Sequence, residues 1–224
     1  MDLSAEITGM LIGLGLAGGV AGSLLLDREA TSTTRDWINH NGGSVVKTVE
    51  DSIDYQVAPH PTIEADEISA SGRYSPQDST ITINPETCRR PNLGLVDLPR
   101  IAYPPCTDVI EHEVGHHVAG SIAGHETVYK PRSHIPIEWK YVSEGIAQCV
   151  DDQSGETARS FECDLENTIY NAESNVKGCG YDFVQPLLDE DLQEGVTYLY
   201  DNLPEITDLQ DPRSYHTKAI KTIR

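Results

Sequence analysis

Basic residues are scarce in this chain. Sixteen Lys and Arg face 36 Asp and Glu, giving a net charge of -20 and a pI near 4.6. So negative a surface repels phosphate backbones and anionic headgroups, which argues against DNA, RNA and peripheral lipid binding. Arg outnumbers Lys ten to six, while Asp and Glu stand level at eighteen each. Two readings fit this balance: a protein working in high salt, where screening removes most self-repulsion, or an ordinary acidic protein. A C-x-x-C pair is also missing, and with it the usual spacing of a structural zinc site. The five cysteines, Cys88, Cys106, Cys149, Cys163 and Cys179, allow two bridges plus a free thiol in an exported domain. Five reduced thiols in a cytosolic one are the alternative. Internal repeats and low-complexity runs are absent too, and 224 residues suit one domain with an ordinary core.

One apolar run is present. Ile7 to Leu26 are twenty consecutive uncharged residues, which as a helix span about 30 Å, the thickness of a bilayer core. Gly9/Gly13, Gly15/Gly19 and Gly18/Gly22 have the small-xxx-small spacing of close helix packing. A membrane segment is therefore expected over residues 7–26. A cleavable signal is the rival, with Val20-Ala21-Gly22 as its cleavage region, but Asp2 and Glu6 precede the run and no Lys or Arg does. A buried soluble helix fits less well with so many glycines. Arg28 and Arg35 follow the run, a weak pull toward a cytoplasmic C-terminal side. An exported location is the other outcome, and the side of the membrane stays open.

Beyond the run, Asp27 to Thr34 reads as a polar linker. His40-Asn41-Gly42-Gly43 reads as a turn closing a short helix around Trp37. Strands are expected over Ile63 to Ser69 and Ser79 to Ile83, with a turn near Ser71-Gly72 between them. A proline-rich loop from Pro85 to Pro105 comes next. Asp108, with Glu111 three residues on, predicts a helix N-terminus of capping-box type, and Gly124 predicts its end. Trp139, Val142, Ile146 and Val150 recur at helical spacing and predict a second helix from Glu138 to Asp152. The remainder, Thr157 to Arg224, reads as helical with breaks near Gly178-Cys179-Gly180 and at Pro204.

The chemistry is concentrated in His112-Glu113-Val114-Gly115-His116. Residues four apart on a helix lie about 40° round and one turn up, so both imidazoles can reach one ion. Glu113 stands about 100° round from His112, too far to share that direction but near enough to reach a metal-bound water. Zinc lowers the pKa of such a water to about 7, and an adjacent carboxylate takes its proton as it attacks a carbonyl. With eight His and eighteen Glu in the chain, chance produces HExxH roughly once in fifty such sequences. The motif needs support, and two features give it. Ile110, Val114 and Val118 offer the same helix a separate apolar side, and a third carboxylate waits downstream.

That carboxylate lies in Pro136-Ile137-Glu138-Trp139-Lys140-Tyr141-Val142-Ser143-Glu144-Gly145-Ile146-Ala147-Gln148. With this segment behind HExxH, the sequence resembles the gluzincin metallopeptidases, chiefly over Ile81 to Asp152 and more faintly at Gly180-Tyr181-Asp182-Phe183. The resemblance implies one zinc ion held by His112, His116 and Glu144, Glu113 as general base, and hydrolysis of a peptide or protein substrate. It implies an α+β, zincin-like domain over residues 31–224. There a small β-sheet would lie over the active-site helix, followed by a mainly helical C-terminal part, with residues 1–30 as the apolar helix and linker. It also implies that Gly145, next to the ligand, lets its helix pack closely beneath the metal.

One departure from the gluzincin pattern stands at Gln148, where an Asp often orients a ligand histidine. Asp151 and Asp152 lie nearly two turns from Glu144 and suit that task less well. An electrophilic donor to the transition state is normally Tyr or His, and His134, Tyr129, Tyr141, Tyr181 and His216 are all available. His117 points about 100° away from His116 and reads as structural or solvent-facing. His40, His60 and His125 read as isolated surface residues, and Tyr198 and Tyr200 as packing. Two further readings remain. HEVGHHV also resembles repressor-cleaving regulatory peptidases, and a membrane-anchored structural protein could carry a non-catalytic zinc site.

Overall fold

The structure, a computed structural model, describes the backbone of residues 3–91, 102–125, 136–154 and 173–224. It describes the side chains of 28–91, 102–125, 136–153 and 176–224. Among these residues the chain is a mixed α+β fold, mostly helical, with seven helices and one three-stranded sheet.

Helix α1 spans Leu3–Ile53. Ala30, Thr34, Ile38, Gly42, Val46, Val49 and Ile53 are buried along it, at steps of three and four. That stripe carries the helix straight through both the expected linker and the expected turn. Tertiary packing overrides the turn signal at His40-Asn41-Gly42-Gly43. A Cβ on Gly42 would stand 2.7 Å from the Ile63 Cβ, so the glycine admits a strand against the helix. Asn39 Oδ1 accepts a 3.0 Å hydrogen bond from the Ala65 N–H of that strand. The membrane segment expected over 7–26 rests on side chains outside the described residues. Among the residues searched, no helix is long and apolar enough to cross a membrane.

The sheet has the order β1-β3-β2. Strand β1 (Thr62–Ala65) runs parallel to β3 (Thr80–Ile83), and β2 (Gly72–Ser75) runs antiparallel to β3. In β3 the predicted alternation holds, with Ile81 and Ile83 buried and Thr80 and Thr82 partly exposed. The stretch Ile63 to Ser69 is a shorter strand than expected. Gly72 opens β2 instead of closing a turn, because β3 offers it a partner at Ile83.

Helix α2 (Cys106–Ala123) carries the HExxH motif. Its start differs from the expected Asp108 cap. Pro105 is the N-cap, without a side-chain cap, and Asp108 sits inside the first turn. The orphan N–H of Cys106 is satisfied instead by the Arg89 carbonyl at 2.8 Å, and a Cys88–Cys106 disulfide ties the same turn down. Glu111 is consequently buried. Gly124 ends the helix at φ 87°, as its sequence signal predicts. Of the other cysteines, Cys149 is free and buried, and Cys179 is disulfide-bonded to a partner outside the described residues.

Helix α3 (Ile137–Ser154) follows, then α4 (Glu173–Leu188), α5 (Leu192–Asp201), α6 (Ile206–Gln210) and α7 (Arg213–Ile223). Pro204 separates α5 from α6 as predicted. The break expected at Gly178-Cys179-Gly180 is absent, since α4 runs through it. The reason is close packing: a Cβ on Gly180 would stand 3.0 Å from the Gly145 Cα, and one on Gly145 would stand 2.8 Å from the Gly180 Cα. Gly145 therefore packs α3 against α4, not beneath the ligand cluster. These contacts are backbone on backbone and cannot yield cheaply. Gly180→Ala is expected to destabilise the protein by about 1–3 kcal/mol through overpacking. Gly43→Ala, which meets nothing within 4 Å, should gain up to about 1 kcal/mol of helix propensity. Urea unfolding of the two variants checks the opposite signs.

Two apolar cores flank α2 and α3. One joins α1, the sheet and α2 through Val46, Val49, Ile81, Ile83, Ile110 and Val114. The other joins α3, α4, α5 and α7 through Val142, Ile146, Val184, Leu187, Leu199 and Ala219. The HExxH helix thus lies between a sheet and a helical layer.

Candidate metal centre

The site grows from one helix face and one close approach. Ile110, Val114 and Val118 are fully buried at i, i+4 and i+8, which fixes the rotation of α2. His112 and His116 then stand one above the other, with ring centroids 5.0 Å apart. Between them, a Cβ on Gly115 would fall 2.5 Å from the Ala147 Cα. Only glycine lets α3 come this near, and three residues before Ala147 that helix carries Glu144.

Glu144 closes the group. Its Oε2 lies 3.3 Å from His112 Nε2, and its Oε1 lies 3.8 Å from His116 Nε2. Ligand atoms of the three residues all fall within 4.8 Å of one another. Burial holds His116 below the usual imidazole range, against the pull of the Glu144 carboxylate. Burial alone would raise the Glu144 carboxyl, but the hydrogen bond from His112 and the charges of His116, His112 and Lys177 outweigh it. The group is held far below the usual carboxylate range. A metal ion needs neutral imidazole and ionised carboxylate, and its charge would replace that of the imidazolium groups in holding Glu144 ionised. His112, His116 and Glu144 can therefore hold a metal ion.

Glu113 is buried beside this cluster. Burial and the Glu144 charge push its carboxyl up, while His116, Lys177 and a hydrogen bond from the Tyr74 backbone N–H pull it partly back. Strand β2 supplies that N–H and crowds the same side chain: a Cβ on Gly72 would stand 2.8 Å from Glu113 Oε1. His117 is structural, as expected, and fully buried. Its Nε2 lies 2.8 Å from the Pro59 carbonyl and its Nδ1 lies 2.7 Å from the Tyr74 hydroxyl. An N–H donated to Pro59 leaves Nδ1 to accept from Tyr74. Burial depresses this imidazole to about 4. His117 thus fixes the tyrosine whose backbone meets Glu113. His125 is not isolated, because its Nδ1 lies 3.3 Å from the same hydroxyl. His40 is exposed, and His60 is half-exposed near Glu50.

The polar partner of a ligand-position imidazole is not Gln148. That side chain is buried and donates to Asp151 Oδ2 at 3.0 Å. Ser143 Oγ instead lies 3.2 Å from His116 Nδ1. Asp152 accepts from the Tyr181 hydroxyl at 2.9 Å. That contact turns one expected electrophilic donor away, and His216 is turned away by the Phe183 carbonyl at 2.8 Å. Tyr141 is buried in the helical core, as are Tyr198 and Tyr200, the last with its hydroxyl beside Ser143 and Glu144. Tyr129 and His134 lie outside the described residues. Sequence reasoning missed Ser143, Tyr74 and Lys177, whose Nζ lies 4.0 Å from Glu144 Oε2. Ser143 adjoins a ligand position and could have been suspected. Nothing local in the sequence marks Lys177.

Compared with protein-family profiles, with curated proteins and with solved structures, the chain matches none.

Proposed function

We propose that this chain is a zinc-dependent peptidase of gluzincin type, with His112, His116 and Glu144 as ligands and Glu113 as general base. The observation that carries the reading is the position of Glu144. A residue 28 places beyond His116 sits 3.3 Å and 3.8 Å from the two imidazoles, with a buried carboxylate beside all three. Two nitrogens and one carboxylate form a donor set that zinc accepts while keeping a fourth position for water. Bound there, zinc supplies an acidified water and a polarised carbonyl.

The chain's residues supply the rest. Glu113 takes a proton from the water as its oxygen bonds to the carbonyl carbon, and the π pair moves onto the carbonyl oxygen. Glu113 then gives that proton to the amide nitrogen as the C–N bond breaks, leaving a carboxylic acid and an amine. Ser143 holds His116 in orientation, and the Tyr74 N–H holds Glu113. An oxidising compartment is consistent with the bridged cysteines, which supports an exported domain over a cytosolic one.

Stripping the protein with a chelator is expected to abolish hydrolysis of a mixed peptide library, and stoichiometric zinc to restore it. Mass spectrometry of the digest reads the outcome. A zinc-loaded chain that leaves every peptide intact would overturn the assignment.

A further inference from the structure

Lys177 stands at the cluster without a place in the scheme above. Its Nζ is 4.0 Å from Glu144 Oε2, with the side chain 26% exposed. Its charge acts on Glu113, His116 and Glu144 alike. In a chain with six lysines and 36 carboxylates, one that turns inward onto this group calls for a physical reason.

Its position is tightly set. Val176 beside it is buried in the helical core, and Cys179 two residues on is disulfide-bonded. Gly180 is seated against the Gly145 backbone, directly after Glu144. The backbone that carries Lys177 is therefore fixed relative to Glu144, while four flexible methylenes let the ammonium move a few ångströms. With a divalent cation among the three ligands, Glu144 is engaged and like charge repels the ammonium from that spot. A nearby anion would then draw it, and peptide hydrolysis creates one next to the ligands. Among the described residues, Tyr181 and His216 are committed elsewhere and Tyr141 and Tyr198 are buried in the core, while the Tyr200 hydroxyl, beside Ser143 and Glu144, is shut off from solvent.

We infer that Lys177 is a catalytic residue of this site, the donor that stabilises the carbonyl oxygen as it becomes an anion. The inference rests on the peptidase reading. Lys177 donates an N–H hydrogen bond to that oxygen while Glu113 holds the proton taken from water. The bond is released when the carbonyl re-forms and the amine leaves.

Lys177→Met and Lys177→Arg test it in the full chain, loaded with cobalt(II) so that the visible spectrum reports the site. Inorganic phosphate serves as the tetrahedral anion probe. Lys177→Met should keep its metal, bind phosphate at least about 10-fold more weakly, and lose about 10²-fold in kcat with KM little changed. Lys177→Arg should recover part of both losses. Wild-type phosphate affinity in Lys177→Met, or wild-type kcat, overturns the assignment. Loss of metal from that variant overturns it too, leaving Lys177 only as a support for Glu144. The peptidase reading is judged separately by Glu113→Gln. If that variant is inactive while Lys177→Met cleaves normally, only the role of Lys177 falls. If the wild type cleaves nothing, the phosphate titration still decides whether Lys177 binds an anion at the metal.

Discussion

Glu113→Gln is expected to keep its zinc and its fold but to lose about 10²–10⁴-fold in turnover, the range for removal of a general base. The substitution is nearly isosteric, which matters at this position. Glu113 is buried, a Cβ on Gly72 would press on its carboxylate, and the Tyr74 N–H donates to it. Glutamine keeps an oxygen for that N–H and changes the volume little. What it cannot do is accept a proton. Burial raises the Glu113 carboxyl, bringing its basicity closer to that of the water it would deprotonate in the proposed mechanism. Zinc content by atomic absorption and a thermal melt should match the wild type, while single-turnover hydrolysis collapses. Turnover within a few-fold of wild type would remove Glu113 from the mechanism.

Glu144→Ala is expected to lower metal affinity by more than 10²-fold, measured by competition with a chromophoric chelator. The two imidazoles remain one turn apart on α2, but a pair of nitrogens alone holds zinc far less firmly than three donors. The charge balance worsens as well, because Lys177 and any bound cation would then lose one of the two carboxylates, Glu144 and Glu113, that the described residues place beside them. Ser143→Ala gives the scale for comparison. It removes a 3.2 Å contact to His116 Nδ1 without touching a ligand atom, and such outer partners are worth about 10–100-fold. The larger loss should therefore belong to Glu144. If the alanine variant retained zinc as tightly as wild type, Glu144 would not be a ligand.

The parts of this site that could be read in the sequence are those governed by local geometry. Four residues of helix bring His112 and His116 onto one face wherever that helix sits. Ile110, Val114 and Val118 repeat at the same spacing and announce which side is buried. The helix bearing Glu144 was legible for the same reason, from Trp139, Val142, Ile146 and Val150. The end of α2 at Gly124 and the gap at Pro204 followed from backbone preferences of single residues.

Elsewhere the local signals pointed the wrong way, and the largest of these misreadings involved a glycine. Gly42 and Gly180 look like breakers when only their neighbours in sequence are weighed. In the folded chain they are contact points, one for Ile63 and the other for Gly145. Strand β2 went unseen because Gly72-Arg73-Tyr74-Ser75 has no strand pattern of its own and forms only along β3. The same strand brings Tyr74 to Glu113.

The sequence by itself determined the chemical types available and the pairing of the two histidines, because a helix converts spacing into direction without help from the rest of the chain. Tertiary structure alone decided the remaining geometry. Gly115 against Ala147 sets how near α3 approaches, and so whether Glu144 reaches both imidazoles. That approach also chose Ser143 over Gln148 as the partner of His116. Packing of Gly180 on Gly145 then delivered Lys177 from a third helix. Such distances arise from contacts between segments far apart in the chain, and no residue's own preferences encode them.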